Sequence, residues 1–346
     1  MHRLIKNLWP RKKRRKGGAD APRPRIGLAL GSGAARGWAH LGVIEALSEL
    51  KLRPDVVCGT SIGALVGGFY LSGQVDALKD WACRLTKLGM FRYLNLRPPG
   101  KGIIAGRRLF TEMERYLRDT AIEDLPAPFA IVATDLDTGD EVWLREGRLV
   151  DAIRASFSLP GFFEPVKIDG RWLVDGALVN PVPVSVCRAL GADLVIAATL
   201  DAPAPCPERD PKGARSSAAG FDPRALRPGA RTADGAIGPG RSQSSPRHTG
   251  PPTLLGVMTS TVSIVQDRIM CSRLASSPPD VSINAEVGHI GLLDFHRASE
   301  LIDEGKAAVG RSQQEIMDAI GAFKPVKRGR RRREPGAGRV TAAKIA

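Results

Sequence analysis

Apolar residues recur along the chain in two periods, and their order predicts an alternation of strands and helices. A short, wholly apolar run at 25–30 is typical of a buried strand. The segment 38–51 then carries apolar residues three or four positions apart, as in a helix that faces a core. The same order repeats at 55–59 and 62–73. Strands and helices joined by short connections predict a parallel sheet in a layered α/β fold.

The alternation continues further along the chain. Each remaining segment is assigned from its apolar period and from the Gly, Pro and Asp residues that bound it. The predicted elements are a helix at 107–119, two strands around a turn at 128–147, a helix from 149, a strand pair at 167–178, a buried strand at 192–200, and helical patterns at 254–270 and 294–310.

One stretch interrupts this pattern and divides the domain. Residues 202–252 contain ten Pro and seven Gly, a composition typical of low-complexity disorder. We therefore predict a basic disordered arm at 1–24, the first part of the folded domain at 25–201, a disordered insertion at 202–252, the rest of the domain at 253–322, and a basic disordered tail at 323–346.

The net charge of +15 is concentrated in the two terminal arms. Residues 1–25 contain ten Lys or Arg and one acid, and residues 324–346 contain nine and one, so the chain between them is nearly neutral. Blocks of like charge are usually disordered and solvated. They also attract anionic surfaces, which leaves a bilayer or nucleic acid, bound without sequence preference, as partners.

The cysteines and the uncharged segments bear on compartment. Five scattered cysteines without a C-x-x-C pair disfavour a disulfide framework or a zinc site and suit a reducing compartment. Residues 56–75 carry no charge, but five glycines and several polar residues there predict a strand, a turn and a buried helix instead of a membrane span. We predict a cytoplasmic protein, with peripheral membrane contact through the arms, that needs no metal or cofactor.

The sequence GTSIG at 59–63 is the first candidate for chemistry. The pattern G-x-S-x-G alone is weak, since chance matches are common in a glycine-rich chain. Here Ser61 follows an apolar strand and precedes an apolar helix, which is the context of a nucleophile elbow. The positive end of the helix dipole would favour negative charge that develops beside the serine.

The loop GSGAARG at 31–37 is the second candidate. A glycine-rich turn between a strand and a helix presents backbone amides suited to a phosphate or an oxyanion. A dinucleotide fingerprint would need glycine at 36, where Arg36 stands, and an acid at the end of the next strand, whereas Asp55 lies at its start. The missing Gly-Lys-Ser/Thr excludes a P-loop.

An α/β-hydrolase with a Ser-Asp-His triad is an alternative on chain order alone. His289 and His296 follow Ser61, and His40 lies just beyond the glycine-rich loop. An elbow of that fold normally follows several strands, whereas here one strand-helix unit precedes Ser61. A lone histidine is more often packed or solvated than catalytic.

These motifs together resemble the bacterial branch of the patatin-like phospholipase family. The likeness rests on ARGWAHLGV after the first strand, GTSIG, and VDGAL at 174–178, in this order and spacing. It extends over about 25–200 and more loosely over 253–320. It implies a three-layer α/β/α fold with a mainly parallel central sheet.

The resemblance also implies a Ser-Asp dyad. It carries over Ser61 as nucleophile, Asp175 as its base, and Gly33, Ala34 and Ala35 as oxyanion amides, with Arg36 bracing their loop. A carboxylate of ordinary pKa is a weak base, so partial burial would be needed to raise the pKa of Asp175. Four other acids are weaker candidates for the catalytic base: Asp135, Asp137, Asp169 and Asp201.

The function that we predict is a serine acyl-hydrolase acting on lipid esters through an acyl-enzyme. The alternative is a catalytically silent protein of the same fold, which binds nucleic acid, membrane or a regulator through its basic arms. Labelling of Ser61 by a serine-directed probe would favour the first.

Overall fold

The computed structural model describes residues 23–87, 89, 107–117, 119–200 and 254–323. The predicted arms at 1–24 and 323–346 and the predicted insertion at 202–252 lie almost wholly outside these residues. Their disorder therefore stays a prediction.

One sheet of eight strands forms the centre of the described part of the chain. Its order is β5-β6-β3-β2-β1-β7-β8, and β4 pairs with β3 outside this path. The strands are β1 (Ile26–Leu30), β2 (Val56–Thr60), β3 (Phe129–Asp135), β4 (Glu141–Leu144), β5 (Val166–Ile168), β6 (Arg171–Asp175), β7 (Leu194–Leu200) and β8 (Val281–Ala285). The run β3-β2-β1-β7-β8 is parallel, whereas β4, β5 and β6 pair antiparallel.

Within the described residues, eight α-helices connect or follow these strands. They are α1 (Ala39–Glu49), α2 (Ile62–Leu71), α3 (Val75–Cys83), α4 (Arg107–Leu117), α5 (Leu149–Ser156), α6 (Val184–Ala189), α7 (Leu254–Ser276) and α8 (Ala298–Gly321). No helix within the described ranges combines the length and apolar content needed to cross a bilayer.

Both faces of the sheet are covered, and the strand residues divide between them with the period of two that β structure requires. Leu28 and Leu30 of β1 belong to a large cluster that also contains apolar residues of α1, α2, α5 and α8. Ala29, between them, belongs to a second cluster with α6. The predicted three-layer α/β/α fold with a mainly parallel sheet is confirmed.

The pairing of β3 brings two strand ends together. Residues 129–132 of β3 pair with β2, whereas residues 133–135 pair with β6. Ile131 pairs with both β2 and β4, and Ala133 pairs with both β4 and β6, so β2 and β6 share the side of β3 opposite β4. The two strands thus follow one another along the same side of β3, and their C-terminal ends meet.

Candidate active site

Ser61 stands at the turn between β2 and α2 in a strained backbone conformation. Its φ of 56° and ψ of −121° are unfavourable for a residue with a Cβ atom, and such strain concentrates at functional sites. The flanking glycines are required by close packing, because a Cβ at Gly59 would lie 2.6 Å from the Ala64 nitrogen. A Cβ at Gly63 would overlap the carbonyl groups of Leu30 and Gly31. The sequence therefore forms a sharp elbow with the serine at its tip.

The Ser61 hydroxyl contacts a carboxylate directly. Its Oγ donates a hydrogen bond to Oδ2 of Asp175 at 2.6 Å, and the other oxygen, Oδ1, accepts from the Ala177 amide at 2.8 Å. Asp175 ends β6, where its N–H donates to the Ser158 carbonyl at 3.0 Å and its own carbonyl accepts from the Thr134 hydroxyl at 2.8 Å. Backbone and side chain of Asp175 are therefore both fixed.

Burial tunes the Asp175 carboxyl. Only 2% of the residue is exposed, and desolvation raises the pKa of Asp175 from 3.8 to about 7, against the opposing hydrogen bonds from Ser61 and Ala177. A carboxylate with a pKa near neutrality is a far better proton acceptor than an ordinary aspartate. The pair can therefore exchange a proton at neutral pH.

The elbow is also held through its amide, by a residue that the sequence analysis missed. The Ser61 N–H donates to Oγ of Ser156 at 2.8 Å, and that hydroxyl donates in turn to the Val132 carbonyl at 2.6 Å. Ser156 is the last residue of α5 and is wholly buried. In the sequence, Ser156 is only a serine within a predicted helix, which does not identify its hydrogen-bond partner.

The glycine-rich loop lies against the elbow. A Cβ at Gly37 would overlap the side chain of Ile62, the residue after Ser61. Ala34 has φ of 50°. The amides of Gly33 and Ala34 donate to no acceptor among the described residues.

The third predicted oxyanion amide, that of Ala35, already has an acceptor within the protein. The Ala35 N–H donates to the Leu292 carbonyl at 3.0 Å, so it is already engaged. The Arg36 N–H likewise turns back to the Gly33 carbonyl at 3.1 Å. Within the described residues, the amides of Gly33 and Ala34 therefore remain without an acceptor, whereas those of Ala35 and Arg36 have one.

The segment 288–295, far along the chain, accepts hydrogen bonds from side chains in and next to this loop. Nε and Nη2 of Arg36 donate to the carbonyls of Ile290 and Gly288 at 2.7 and 3.2 Å. Nε1 of Trp38 donates to the Phe295 carbonyl at 3.2 Å. The side chain of Arg36 therefore ties the loop to a part of the chain more than 250 residues away.

None of the three histidines takes part in the hydrogen bond between Ser61 and Asp175. Nε2 of His40 donates to the Gly31 carbonyl at 2.8 Å beneath the glycine-rich loop, and burial lowers the pKa of His40 to about 4, so the ring is neutral. His289 is half exposed and pairs with Glu300 at 3.0 Å. His296 lies in a 3-10 helix at 295–297. Ser61 donates to Asp175 with no histidine between them.

Of the four rival acids, the three within the described residues lie in turns or at the start of one. Oδ1 of Asp135 accepts from the amides of Asp137 and Thr138. Asp169 is exposed, with φ of 48°. Asp201 lies outside the described residues. In the described ranges no group of three His, Cys, Asp or Glu residues is placed to hold a metal ion.

Comparison of the sequence with known proteins finds a matching family model and several relatives. The model of the family "Patatin-like phospholipase" matches residues 28–188, which include the elbow and Asp175. An "Uncharacterized NTE family protein" of Mycobacterium tuberculosis is 35% identical over 323 residues, covering 82% of this chain and 90% of the relative. The human "Patatin-like phospholipase domain-containing protein 6" is 35% identical over 179 residues, covering 50% of this chain and 13% of that protein.

A solved structure is also similar. VipD from Legionella pneumophila matches with a TM-score of 0.44 at 12% identity, over 86% of this chain and 68% of that chain.

Proposed function

Because the chain belongs to the patatin-like phospholipase family, we propose that it is a serine acyl-hydrolase that cleaves acyl esters of lipids. Family membership supports a lipid hydrolase in general. The observation that carries the finer proposal is the 2.6 Å hydrogen bond from Ser61 Oγ, at a strained elbow, to a buried carboxyl whose pKa lies at about 7.

In the first half of the proposed reaction, Ser61 Oγ attacks the ester carbonyl carbon while Asp175 Oδ2 accepts the hydroxyl proton. The carbonyl oxygen becomes the oxyanion of a tetrahedral intermediate. When that intermediate collapses, the bond to the leaving alcohol breaks, and Asp175 returns the proton to the departing oxygen. The acyl group then remains on Ser61 as an ester.

In the second half, water attacks the acyl-enzyme. Asp175 accepts a proton from the water as the new carbon-oxygen bond forms, and then gives it to Oγ of Ser61 as the carboxylic acid departs. The dyad is thereby restored, and no redox or metal step is required by the balance of atoms and protons.

The proposed oxyanion donors are the amides of Gly33 and Ala34. Both lack an acceptor among the described residues, and their loop packs against the elbow through Gly37. Removing one such donor typically costs an enzyme about 100- to 1,000-fold in rate. We assign Ala35 and Arg36 to holding the loop, since their amides are engaged.

Labelling with a fluorophosphonate tests the proposal. We expect covalent modification of Ser61, located by mass spectrometry, and hydrolysis of a soluble p-nitrophenyl acyl ester. Ser61→Ala should abolish both, and Asp175→Asn should slow both by several orders of magnitude. Ser72→Ala is the matched control, because Ser72 caps the C-terminus of the helix that follows Ser61 and its hydroxyl donates to the Phe69 carbonyl.

The outcome that contradicts the proposal is a folded, monodisperse wild-type protein that neither reacts with the probe nor cleaves the ester. That result would favour the silent interaction protein instead.

We further propose that the basic arms at 1–24 and 323–346 hold the enzyme at anionic bilayers. Each basic residue near such a surface contributes about 1 kcal/mol of attraction. Sedimentation with anionic vesicles should fall when both arms are deleted, and equal sedimentation of the truncated protein would reject this role. Binding of nucleic acid instead of vesicles would favour the other anionic partner.

A further inference from the structure

A second set of hydrogen bonds, besides the one within the dyad, links the segments that carry Ser61 and Asp175. Thr60 directly precedes Ser61, and its hydroxyl donates to the Asn180 carbonyl at 2.8 Å. The N–H of Asn180 donates to the Gly176 carbonyl at 2.9 Å, which closes the turn that follows Asp175. Thr60 and Asn180 are both buried. The elbow is therefore joined to the turn after the proposed base by a hydrogen bond that is shielded from water.

The side chain of Asn180 fixes the backbone carbonyl that Thr60 contacts. Its Nδ2 atom donates to Oε1 of Glu141 at 2.9 Å and to Oγ of Ser185 at 3.2 Å, so both amide protons are engaged. Its Oδ1 atom is buried and has no hydrogen-bond partner within the described part of the chain. A buried acceptor without a partner costs free energy, so the presence of this amide calls for a role other than stability.

Glu141, which accepts from the Asn180 amide, is anchored by two further donors. Its Oε1 atom also accepts from Nε1 of Trp143 at 2.7 Å, and its Oε2 atom pairs with Nη2 of Arg273 at 3.2 Å. Arg273 lies in the last turn of α7, and its Nε donates to the carbonyl of Val179, the residue before Asn180, at 2.8 Å. The carboxylate is thus fixed between β4 and α7, and it fixes Asn180 in turn.

Proton transfer between Ser61 and Asp175 depends on their separation, and a misplacement of about 1 Å can cost an enzyme about 100-fold in rate. Ser61 lies one residue beyond β2, where the pairing with β3 has ended. We propose that Thr60, Asn180 and Glu141 form a positioning bridge, which holds the elbow and the turn after the base at the separation that the dyad needs. The bridge acts through the dyad and not by contact with substrate. This inference rests on the proposed function for its reaction.

The first experiment removes one hydroxyl of the bridge and keeps the shape of the side chain. Thr60→Val should lower kcat for a soluble p-nitrophenyl ester about 10- to 100-fold, with KM within about twofold of wild type. Thr60→Ser keeps the donor, so its kcat should stay within about threefold of wild type.

Thr199→Val is the matched control for the loss of a buried hydroxyl. Thr199 is also buried and lies on β7, where its Oγ1 bonds the Ile283 carbonyl at 3.3 Å and Oδ1 of Asn284 at 3.2 Å. This variant should lose as much stability in urea as Thr60→Val but keep its kcat. Equal values of kcat in the two variants overturn the bridge.

The second experiment exchanges the donor and the acceptor of one hydrogen bond in the bridge. Asn180→Asp places a second carboxylate beside that of Glu141, and their repulsion should displace the turn and lower kcat about 100-fold. Adding Glu141→Gln restores a donor opposite the new carboxylate, so kcat should rise at least about tenfold above that of Asn180→Asp alone. Loss of packing alone would not be repaired by a second substitution. A double variant that is no faster than Asn180→Asp overturns the bridge.

Titration of the dyad tests the bridge independently of catalysis. The hydrogen bond from Ser61 lowers the pKa of Asp175 against the effect of burial, so a loosened bridge should raise that pKa. In carboxyl carbon-13 spectra of the full-length protein, Asp175 should titrate about half a pH unit higher in Thr60→Val than in wild type or Thr199→Val. An unchanged midpoint overturns the bridge even if the protein is active. A wild-type protein that cleaves no ester, in a series that shows this shift, contradicts the proposed function alone.

Discussion

The turns at 31–37 and 59–63 both join a strand to a helix, and each contains one non-glycine residue with positive φ, Ala34 at 50° and Ser61 at 56°. Their supports differ. The elbow is held by β3 and α5, through Ser156 and Val132. The other turn is held by the segment 288–295, far along the chain. Similar turns thus depend on different parts of the fold.

The ionisable groups beneath the two turns differ as well. Burial raises the pKa of Asp175 to about 7 beside the elbow and lowers the pKa of His40 to about 4 beneath the other turn. In the folded protein, both shifts favour the neutral form of the side chain. Each group therefore destabilises the fold at a pH where it would be ionised in the unfolded chain. His40 weakens the fold as pH falls from about 6.5 to 4, and Asp175 weakens it as pH rises from about 4 to 7.

The largest effect on this comparison is expected from Asp175→Asn. Below pH 4 the carboxyl is neutral in the folded and unfolded states, so the variant should match wild type in stability. As pH rises to 7, Asp175 releases its proton in the unfolded state first, which destabilises folded wild type. The variant lacks this carboxyl, so it should become more stable than wild type by up to about 4 kcal/mol. Urea unfolding at pH 4, 6 and 8 measures this, and a constant difference would contradict it.

The rate of catalysis should change with pH in the opposite direction to the stability of the wild-type protein. Asp175 must be ionised to act as a base, so wild-type kcat/KM should rise with pH through about 7 and then level off. A rate that is already maximal at pH 5 would show that the carboxyl is not perturbed.

The second effect acts where the two turns touch. Gly63→Ala places a methyl group against the carbonyls of Leu30 and Gly31, which are backbone atoms and cannot move aside independently. We expect a loss of about 3 kcal/mol in stability and a large loss of activity. Gly67→Ala, in the same helix, is the control, because its nearest neighbour is the Phe129 ring at 3.0 Å, a side chain that can shift. Equal melting temperatures for the two variants would refute the contact.

The third effect comes from a substitution that weakens the support of the turn at 31–37 and leaves the support of the turn at 59–63 unchanged. Arg36→Met removes the donors to Ile290 and Gly288 but leaves the elbow intact. We expect kcat to fall about 10- to 100-fold with KM little changed, since the proposed oxyanion donors would lose their alignment. Arg297→Met, which breaks only a surface pair with Glu300, should be near wild type. A rise in KM without a fall in kcat would place Arg36 in substrate binding instead.

The smallest effect concerns backbone strain. Ala34→Gly removes a Cβ atom from a left-handed residue, which relieves strain, but it also increases the entropy of the unfolded chain. The two changes nearly cancel, so stability should move by less than about 1 kcal/mol and esterase activity should persist. A loss of activity would show that the Ala34 methyl group itself positions the loop.

Much of the fold could be predicted from the sequence, because apolar period and turn residues act locally. The strand before Ser61 and the helix after it were predicted in this way. The pairing of Ser61 with Asp175 came instead from the resemblance of three short motifs to the patatin-like phospholipase family. Ser156 was missed, because a buried hydroxyl is recognised only by the amide that it meets. The contact of Arg36 with Gly288 and Ile290 was also beyond reach, since backbone acceptors leave no mark in the sequence.

The end-to-end placement of β2 and β6 along β3 has a consequence for how this enzyme tolerates change. Thr60, next to Ser61, pairs with Val132, and Asp175 pairs with Ala133. Ser61 and Asp175, the proposed nucleophile and base, thus take their spacing from neighbouring positions of one strand, about 3.3 Å apart along it. Connecting segments between β2 and β6 can lengthen or shorten over evolution without disturbing that spacing, whereas a single-residue deletion within β3 would separate the pair.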